Sequence, residues 1–274
     1  MSFTKMHGLG NDFIVIDCRE TALSSQLSAV SKLSRKLCDR RLGIGADQIL
    51  LLHDSDRADF RMSIFNADGS EVEMCGNGIR CFAKYIWDRK LSGKKVLDIE
   101  TPAGIIRPEK SGDMVKVDMG VPILEARQIP VRLDGVIREF PLKILDKRFK
   151  ITCVSMGNPH AVIFVDDVAG FDVAKYGPVI ENHGLFPKRI NVEFIQVLSP
   201  GIVRMRVWER GSGETLACGT GASAAAVASN LCGRTRKRVK VRLPGGDLMI
   251  DLHKNGHVYM TGPAVEVFEG CINI

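Results

Sequence analysis

Two cysteines are placed to do chemistry in this 274-residue chain. Cys75 stands in EMCGNG and Cys218 in LACGTG, each directly before a Gly-x-Gly turn that opens an apolar stretch of helical period. At a helix N-terminus the unpaired N–H groups and the macrodipole stabilise an anion and lower a thiol's pKa from about 8.5 towards neutrality. Gly76, Gly78, Gly219 and Gly221 remove side chains, so a ligand carboxylate can approach those N–H groups. A single activated thiol would suggest a nucleophile with a His base. Two equivalent thiols suggest one base and one acid acting on opposite faces of a planar carbanion, which is racemisation or epimerisation. Enzymes that do this at an amino-acid α-carbon commonly use pyridoxal phosphate as electron sink, but the sequence offers no phosphate cradle with a Schiff-base lysine. Without a cofactor, the two helix N-termini must hold the substrate carboxylate as it gains enolate-like charge.

The elements that carry these thiols recur. Gly10-Asn11 returns as Gly157-Asn158, an offset of 147, and GIGADQILLL from Gly43 is placed like RINVEFIQVL from Arg189, near 146. Residues 65–78 align without gaps on 208–221, pairing Cys75 with Cys218 at an offset of 143, and Pro102-Ala-Gly104 returns as Pro244-Gly-Gly246 at 142. Four landmarks in one order mark a duplication. The expected domains are residues 1–119 with a returning C-terminal strand 265–274, carrying Cys75, and residues 120–264, carrying Cys218.

Alternating stretches at 12–17, 48–54, 95–100, 161–167, 194–198 and 203–209 predict strands. Leu23, Leu27, Val30, Leu33 and Leu37 predict an amphipathic helix, and residues 76–89 and 219–232 predict two more, the second Ala-rich and buried in its own sheet. The expected class is α/β of the α+β type, two pseudo-symmetric domains whose matching cysteines can face each other across the cleft between them.

Composition sets the bounds. With 45% apolar and 26% charged residues and no apolar run of the length that spans a bilayer, the chain reads as a globular protein with no membrane partner. Its start has no export signal, so the cytoplasm is the expected compartment. The eight cysteines contain no C-x-x-C pair, so no metal site is expected; Cys18, Cys38, Cys81, Cys153, Cys232 and Cys271 read as small core fillers. The net charge of +6 lies wholly in Arg234–Arg242, which contributes six positive charges and leaves 32 basic against 32 acidic residues elsewhere. That run reads as a strand with a basic face in water, and with no interleaved aromatics no nucleic-acid partner is expected. A basic nucleic-acid-binding module using Arg234–Arg242 is the reading from outside enzymology. His7, His53, His183, His253 and His257 read as ordinary surface or core residues.

The motifs HGLGNDF (7–13), IFNADGSEVEMCGNGIRC (64–81), SMGNPH (155–160), ERGSGETLACGTGA (209–222) and LPGG (243–246) closely resemble those of the diaminopimelate epimerase family, in order and over essentially the full length. The resemblance implies cofactor-independent interconversion of LL- and meso-diaminopimelate, on the way to lysine and peptidoglycan precursors; two pseudo-symmetric domains closing over substrate, each a mainly antiparallel sheet wrapped around a central helix, with the active site in the cleft between them; and a homodimer. It implies Cys75 and Cys218 as the acid/base pair. It implies Asn11, Gln48, Asn66, Asn158 and Asn191 as substrate ligands, with Gly76-Asn77 and Gly219-Thr220 around the reacting carboxylate. Arg210 would bind a carboxylate and Glu209 an ammonium, and His160 with Glu209 would tune the thiols. The alternative enzyme is another cofactor-independent racemase or isomerase of the same fold, such as a proline racemase.

Overall fold

The computed structural model describes residues 1–19 and 27–273 and divides into two compact units, Met1–Val117 with Gly262–Ile274, and Asp118–Thr261.

The first unit holds strands β1 (Ser2–Gly8), β2 (Asn11–Asp17), β3 (Gln48–His53), β4 (Phe60–Asn66), β5 (Glu71–Val72), β6 (Ile99–Thr101) and β7 (Gly104–Ile106). A small hairpin, β8 (Glu109–Ser111) and β9 (Met114–Asp118), follows. Helices α1 (Leu27–Cys38) and α2 (Gly76–Asp88) connect strands, and the chain's last strand, β19 (Val265–Cys271), returns to this sheet. The order is β19-β1-β2-β3-β4-β6-β7, with β5 on β4. Among the described residues of this sheet, β2–β3 and β4–β6 are the parallel pairs, because α1 and α2 are the crossovers between them. Strands covered on both sides are apolar at every position rather than alternating. Ile14, Ile16, Ile49 and Leu51 pack with Val30, Leu33 and Leu37 of α1, while Phe13 and Leu50 abut α2 at Gly78.

The second unit repeats this plan. It holds β10 (Phe140–Ile144), β11 (Lys147–Ser155), β12 (Pro159–Phe164), β13 (Asn191–Ser199), β14 (Ile202–Glu209), β15 (Gly213–Thr215), β16 (Arg238–Leu243), β17 (Gly246–Leu252) and β18 (Val258–Gly262). Helix α3 (Val173–Glu181) crosses between β12 and β13, and α4 (Gly219–Leu231) between β14 and β16. The pairs β12–β13 and β14–β16 are parallel and the other pairings antiparallel. Thus β2, β3, β4, β5, α2, β6 and β7 correspond to β12, β13, β14, β15, α4, β16 and β17. The register sharpens the correspondence: Phe13 pairs with Gln48 as His160 pairs with Asn191, and Val15 with Leu50 as Val162 with Glu193. The duplicated, mainly antiparallel α+β fold expected from the sequence is what the chain adopts. Alanines at 222, 224, 225, 226 and 228 are all fully buried, allowing α4 to lie close against β11–β14, β16 and β17.

Some boundaries differ from the expectations. The helix predicted from Leu23 is described from Leu27, and Leu23 itself lies outside the described residues. The strand expected over 95–100 begins at Ile99, with Val96 making an isolated bridge to Glu109. The basic run is a strand only from Arg238, where Val239, Val241 and Leu243 are buried. Before it, Arg234 stacks 4.0 Å over Phe164 and pairs with Glu139 at 2.6 Å, so local partners take up this part of the basic run. Of the expected core cysteines, Cys18, Cys38, Cys81 and Cys153 are buried, whereas Cys232 is half-buried and Cys271 exposed. Cys271 ends an edge strand, which has a neighbour on one side only.

Candidate active site

Cys75 and Cys218 occupy the same local structure. Each is the N-cap of a 13-residue helix with an extended backbone, φ −136°, ψ 118° at Cys75 and φ −131°, ψ 114° at Cys218. Each sulfur accepts from the N–H three residues on, Gly78 at 3.4 Å and Gly221 at 3.3 Å, the role a Ser or Asp side chain usually plays. The preceding hairpins, β4–β5 and β14–β15, bring both cysteines to their helices in the same way.

Cys75 is hydrogen-bonded to an amide, and apolar side chains abut the first turn of its helix. The thiol donates to Asn11 Oδ1 at 3.7 Å, and Asn77 Nδ2 donates to the same oxygen at 3.2 Å. Asn11 leaves the β1–β2 hairpin, whose central residues Leu9 and Gly10 both have positive φ, 61° and 88°, as a tight two-residue turn requires. Asp47 Oδ2 accepts from Asn11 Nδ2 at 2.8 Å, and Asp12 is clamped by Lys5 at 2.7 Å and Arg40 at 2.8 Å. Burial alone would raise the Asp12 carboxyl, but Arg40 and Lys5 override it and hold it well below the usual carboxylate range. Gln48 donates to Asn66 Oδ1 at 2.8 Å across the β3–β4 ladder.

Around Cys218 the groups are ionisable. His160, fully buried, lies 2.7 Å from Glu193 Oε1 through Nδ1 and 2.9 Å from Asn158 Oδ1 through Nε2. Glu209 accepts from Thr215 Oγ1, and its charge acts on the Cys218 thiol. Burial pushes the Glu209 carboxyl upward, with Glu193 adding to the effect. Burial also pushes the Cys218 thiol well above its ordinary value, reinforced by the Glu209 and Glu193 charges. Thr220 Oγ1 is 3.4 Å from the Cys218 sulfur. Asn191 Oδ1 accepts from the Arg210 N–H at 2.9 Å, while the exposed Arg210 side chain donates to Lys188 O at 3.1 Å and makes no ion pair with Glu209.

The expected residues therefore gather in two clusters, each within its own unit: Asn11, Gln48, Asn66, Gly76 and Asn77 with Cys75, and Asn158, His160, Asn191, Glu209, Arg210, Gly219 and Thr220 with Cys218. Buried acceptors in both clusters lack a hydrogen-bond partner among the described residues: Gln48 Oε1 and Asn77 Oδ1 in the first, Glu193 Oε2 in the second. Native interiors leave few such atoms. Two charged residues in these clusters, Arg80 and Glu193, escape a reading by motif. At the offset of 143 Ser223 stands against Arg80, whereas the sequence offset near 146 sets Leu50 against Gln196; the ladder register corrects that offset to 143 and sets Leu50 against Glu193.

The model of the diaminopimelate epimerase family matches residues 3–125 and 152–267. The diaminopimelate epimerase of Carboxydothermus hydrogenoformans is 54% identical over 273 residues, 98% of each chain. That of Methanococcus maripaludis strain C5 is 49% identical over 282 residues, 100% of each chain. Among solved structures, a Bacillus anthracis phenazine biosynthesis protein of the PhzF family superposes with a TM-score of 0.70 at 18% identity, covering 100% of this chain and 99% of that one. A probable proline racemase from Agrobacterium radiobacter gives 0.69 at 16% identity, covering 100% and 93%. At that identity these two share the fold. No helix among the described residues is long and apolar enough to cross a membrane. With half-identical relatives matched end to end and both cysteine motifs in place, the chain belongs to the diaminopimelate epimerase family.

Proposed function

We propose that this chain interconverts LL- and meso-diaminopimelate by two-base proton transfer at one α-carbon, with Cys75 and Cys218 as the pair and no cofactor. The observation that carries the reading is the duplicated cysteine N-cap: two thiols on matching helix termini, each followed by bare glycine N–H groups. One thiolate removes the α-hydrogen, and the C–H electron pair passes into the adjacent carboxylate as enolate-like charge. The N–H groups at the start of α2 and α4 oppose that charge, as an oxyanion hole does. The other thiol delivers its proton to the opposite face, inverting the centre and becoming the thiolate. The cysteines thereby exchange roles, and the next turnover in reverse needs no resetting.

Asn11, Gln48, Asn66, Asn77, Asn158, Asn191 and Thr220 serve as neutral donors and acceptors to the substrate's polar groups. Glu209 is suited to an ammonium and Arg210 to the distal carboxylate, which its exposed guanidinium can take up by leaving Lys188 O. Asn158 and Glu193 orient His160, which with Glu209 tunes the Cys218 thiol. The same reading carries a homodimer, supported by the apolar side chains exposed on edge strand β19, Val265, Val267 and Phe268. It also carries a cytoplasmic setting, supported by eight cysteines held as thiols rather than disulfides.

The test is turnover of LL-diaminopimelate by the purified, reduced protein without added cofactor, followed by chiral separation of the products. Appearance of the meso isomer is expected. Its loss by on the order of 10²- to 10⁴-fold is expected in both Cys75→Ala and Cys218→Ala. No meso product from folded, reduced protein would overturn the reaction, and normal turnover by either variant would overturn the two-thiol assignment.

A further inference from the structure

The two halves place matching cysteines in opposite electrostatic surroundings. Arg80 in α2 is fully buried; its Nη1 donates to the carbonyl of Gly76, the residue after Cys75, at 3.1 Å, and its Nε to Pro263 O at 3.2 Å. The guanidinium thus sits under the first turn of the helix that Cys75 caps. A Cβ on Gly8 would come within 3.1 Å of its Nη2, so the bare backbone of β1 makes the room. On the strands packed here, Asn11 bonds the thiol and Phe13 and Leu50 lie against the first turn of its helix, all three uncharged. At the position of Arg80 the second half has Ser223, which donates to Gly219 O at 3.0 Å and brings no charge.

The second half has instead a fully buried carboxylate where the first has Leu50. Glu193 Oε1 lies 2.8 Å, and the Cys218 sulfur 3.2 Å, from the place a Gly221 Cβ would occupy. The charge of Glu209 on β14 also acts on the thiol, His160 on β12 faces Glu193, and Thr220 supplies a hydroxyl. His160 shares a hydrogen bond with one of these carboxylates, and Glu209 and Glu193 act on the Cys218 thiol in the same direction.

We infer that Arg80 and Glu193 are positioning residues that polarise the cysteine pair, so that the ligand-free enzyme carries Cys75 as the thiolate and Cys218 as the thiol. The inference rests on the reading of these two cysteines as the acid/base pair, and it adds which of them is poised as base before substrate arrives. Buried charges beside a thiol act strongly because little water screens them. The symmetric reaction then starts from an asymmetric resting state. A substrate ammonium arriving at Glu209 would offset the charge there and let Cys218 take its turn as thiolate.

The experiment uses ligand-free enzyme, so it is independent of whether diaminopimelate is the substrate. Iodoacetamide modification of Cys75 and Cys218 is followed separately by peptide mass spectrometry across pH, and the midpoint of each rate profile is read rather than its height. The expected midpoint for Cys75 lies below that for Cys218. Arg80→Met should raise the Cys75 midpoint by about one pH unit, roughly a tenfold loss of thiolate at neutral pH, without moving Cys218. Arg80→Lys should restore it. Glu193→Gln should lower the Cys218 midpoint by a similar amount and leave Cys75 in place. Where Arg80→Met fails to fold, the wild-type midpoints and Glu193→Gln decide. Equal midpoints in the wild type, or a Glu193→Gln variant with an unmoved Cys218, would overturn the inference while leaving the turnover assay untouched.

Discussion

Leu50 and Glu193 hold the same place in the two sheets: Leu50 pairs with Val15 in the parallel β2–β3 ladder as Glu193 pairs with Val162 in β12–β13. Both side chains point at the first turn of the helix that a cysteine caps, Leu50 at Gly78 and Glu193 at Gly221. The duplication thus keeps geometry while changing charge. Equal backbones give two thiols equal reach, and unequal neighbours give them unequal affinity for a proton.

The fit at Gly221 is tight enough to test. A Cβ there would meet Glu193 Oε1 at 2.8 Å and the Cys218 sulfur at 3.2 Å, whereas at Gly78 the nearest neighbours lie at 3.3 Å. Gly221→Ala is expected to cost about 1–3 kcal/mol in urea unfolding, because neither neighbour can yield without leaving its own partner. Gly78→Ala should cost less, and Gly93→Ala, which meets nothing within 4 Å, should stay within about 0.5 kcal/mol of wild type.

The Asp12 clamp predicts a pH dependence of stability. Its carboxyl is held below the ordinary 3.8 by Arg40 and Lys5 against the opposing effect of burial. A depressed folded value means the contribution is present above about pH 4 and is lost as pH falls through the folded value. Wild-type stability should therefore drop more steeply on acidification below pH 4 than that of Asp12→Asn, measured by denaturant midpoints at each pH. Parallel curves would show that the clamp contributes nothing.

Thiol labelling should separate the reactive cysteines from the fillers. Burial pushes Cys81 and Cys153 up to about 12, so both should stay unmodified in the native enzyme at neutral pH. Cys271 is exposed and should label whatever else is present. Diaminopimelate should slow the labelling of Cys75 several-fold and leave Cys271 unchanged. Equal labelling of Cys75 with and without diaminopimelate would place the substrate elsewhere.

Much of the fold and of the site is legible in the amino-acid sequence because the duplication can be aligned. Cys75 and Cys218 stand out as equivalents from the repeat alone, and with them the two helices that follow each Cys-Gly. Glu193 does not stand out, since a lone acid in NVEFIQV looks like the solvent side of an alternating strand, while residues 191–195 are in fact buried on both faces between α3 and α4. Arg80 is hidden for a similar reason, as an arginine one turn into an amphipathic helix normally reaches water. For Arg80 the counterpart Ser223 carries the signal that this position faces inward, whereas Glu193 falls against Asp47 at the sequence offset near 146 and against Leu50 only in the ladder register. The basic strand starts later than its pattern suggests because period-2 spacing of Arg234, Arg236 and Arg238 mimics a strand. There Arg236 N–H instead bonds Pro200 O in the distant β13–β14 connection, outside any ladder.

The central claim is that two different groups act on opposite faces of one α-carbon, and deuterium oxide tests it most directly. LL-diaminopimelate is incubated with the enzyme in D2O and stopped in early turnover, and the isomers are separated and weighed by mass spectrometry. Two thiols predict one deuterium at an α-carbon of the meso product and none in the recovered LL substrate, because the proton taken by one cysteine is not the one returned by the other. Deuterium entering the recovered substrate as fast as product forms, or product without deuterium, would assign both steps to a single base and contradict the claim.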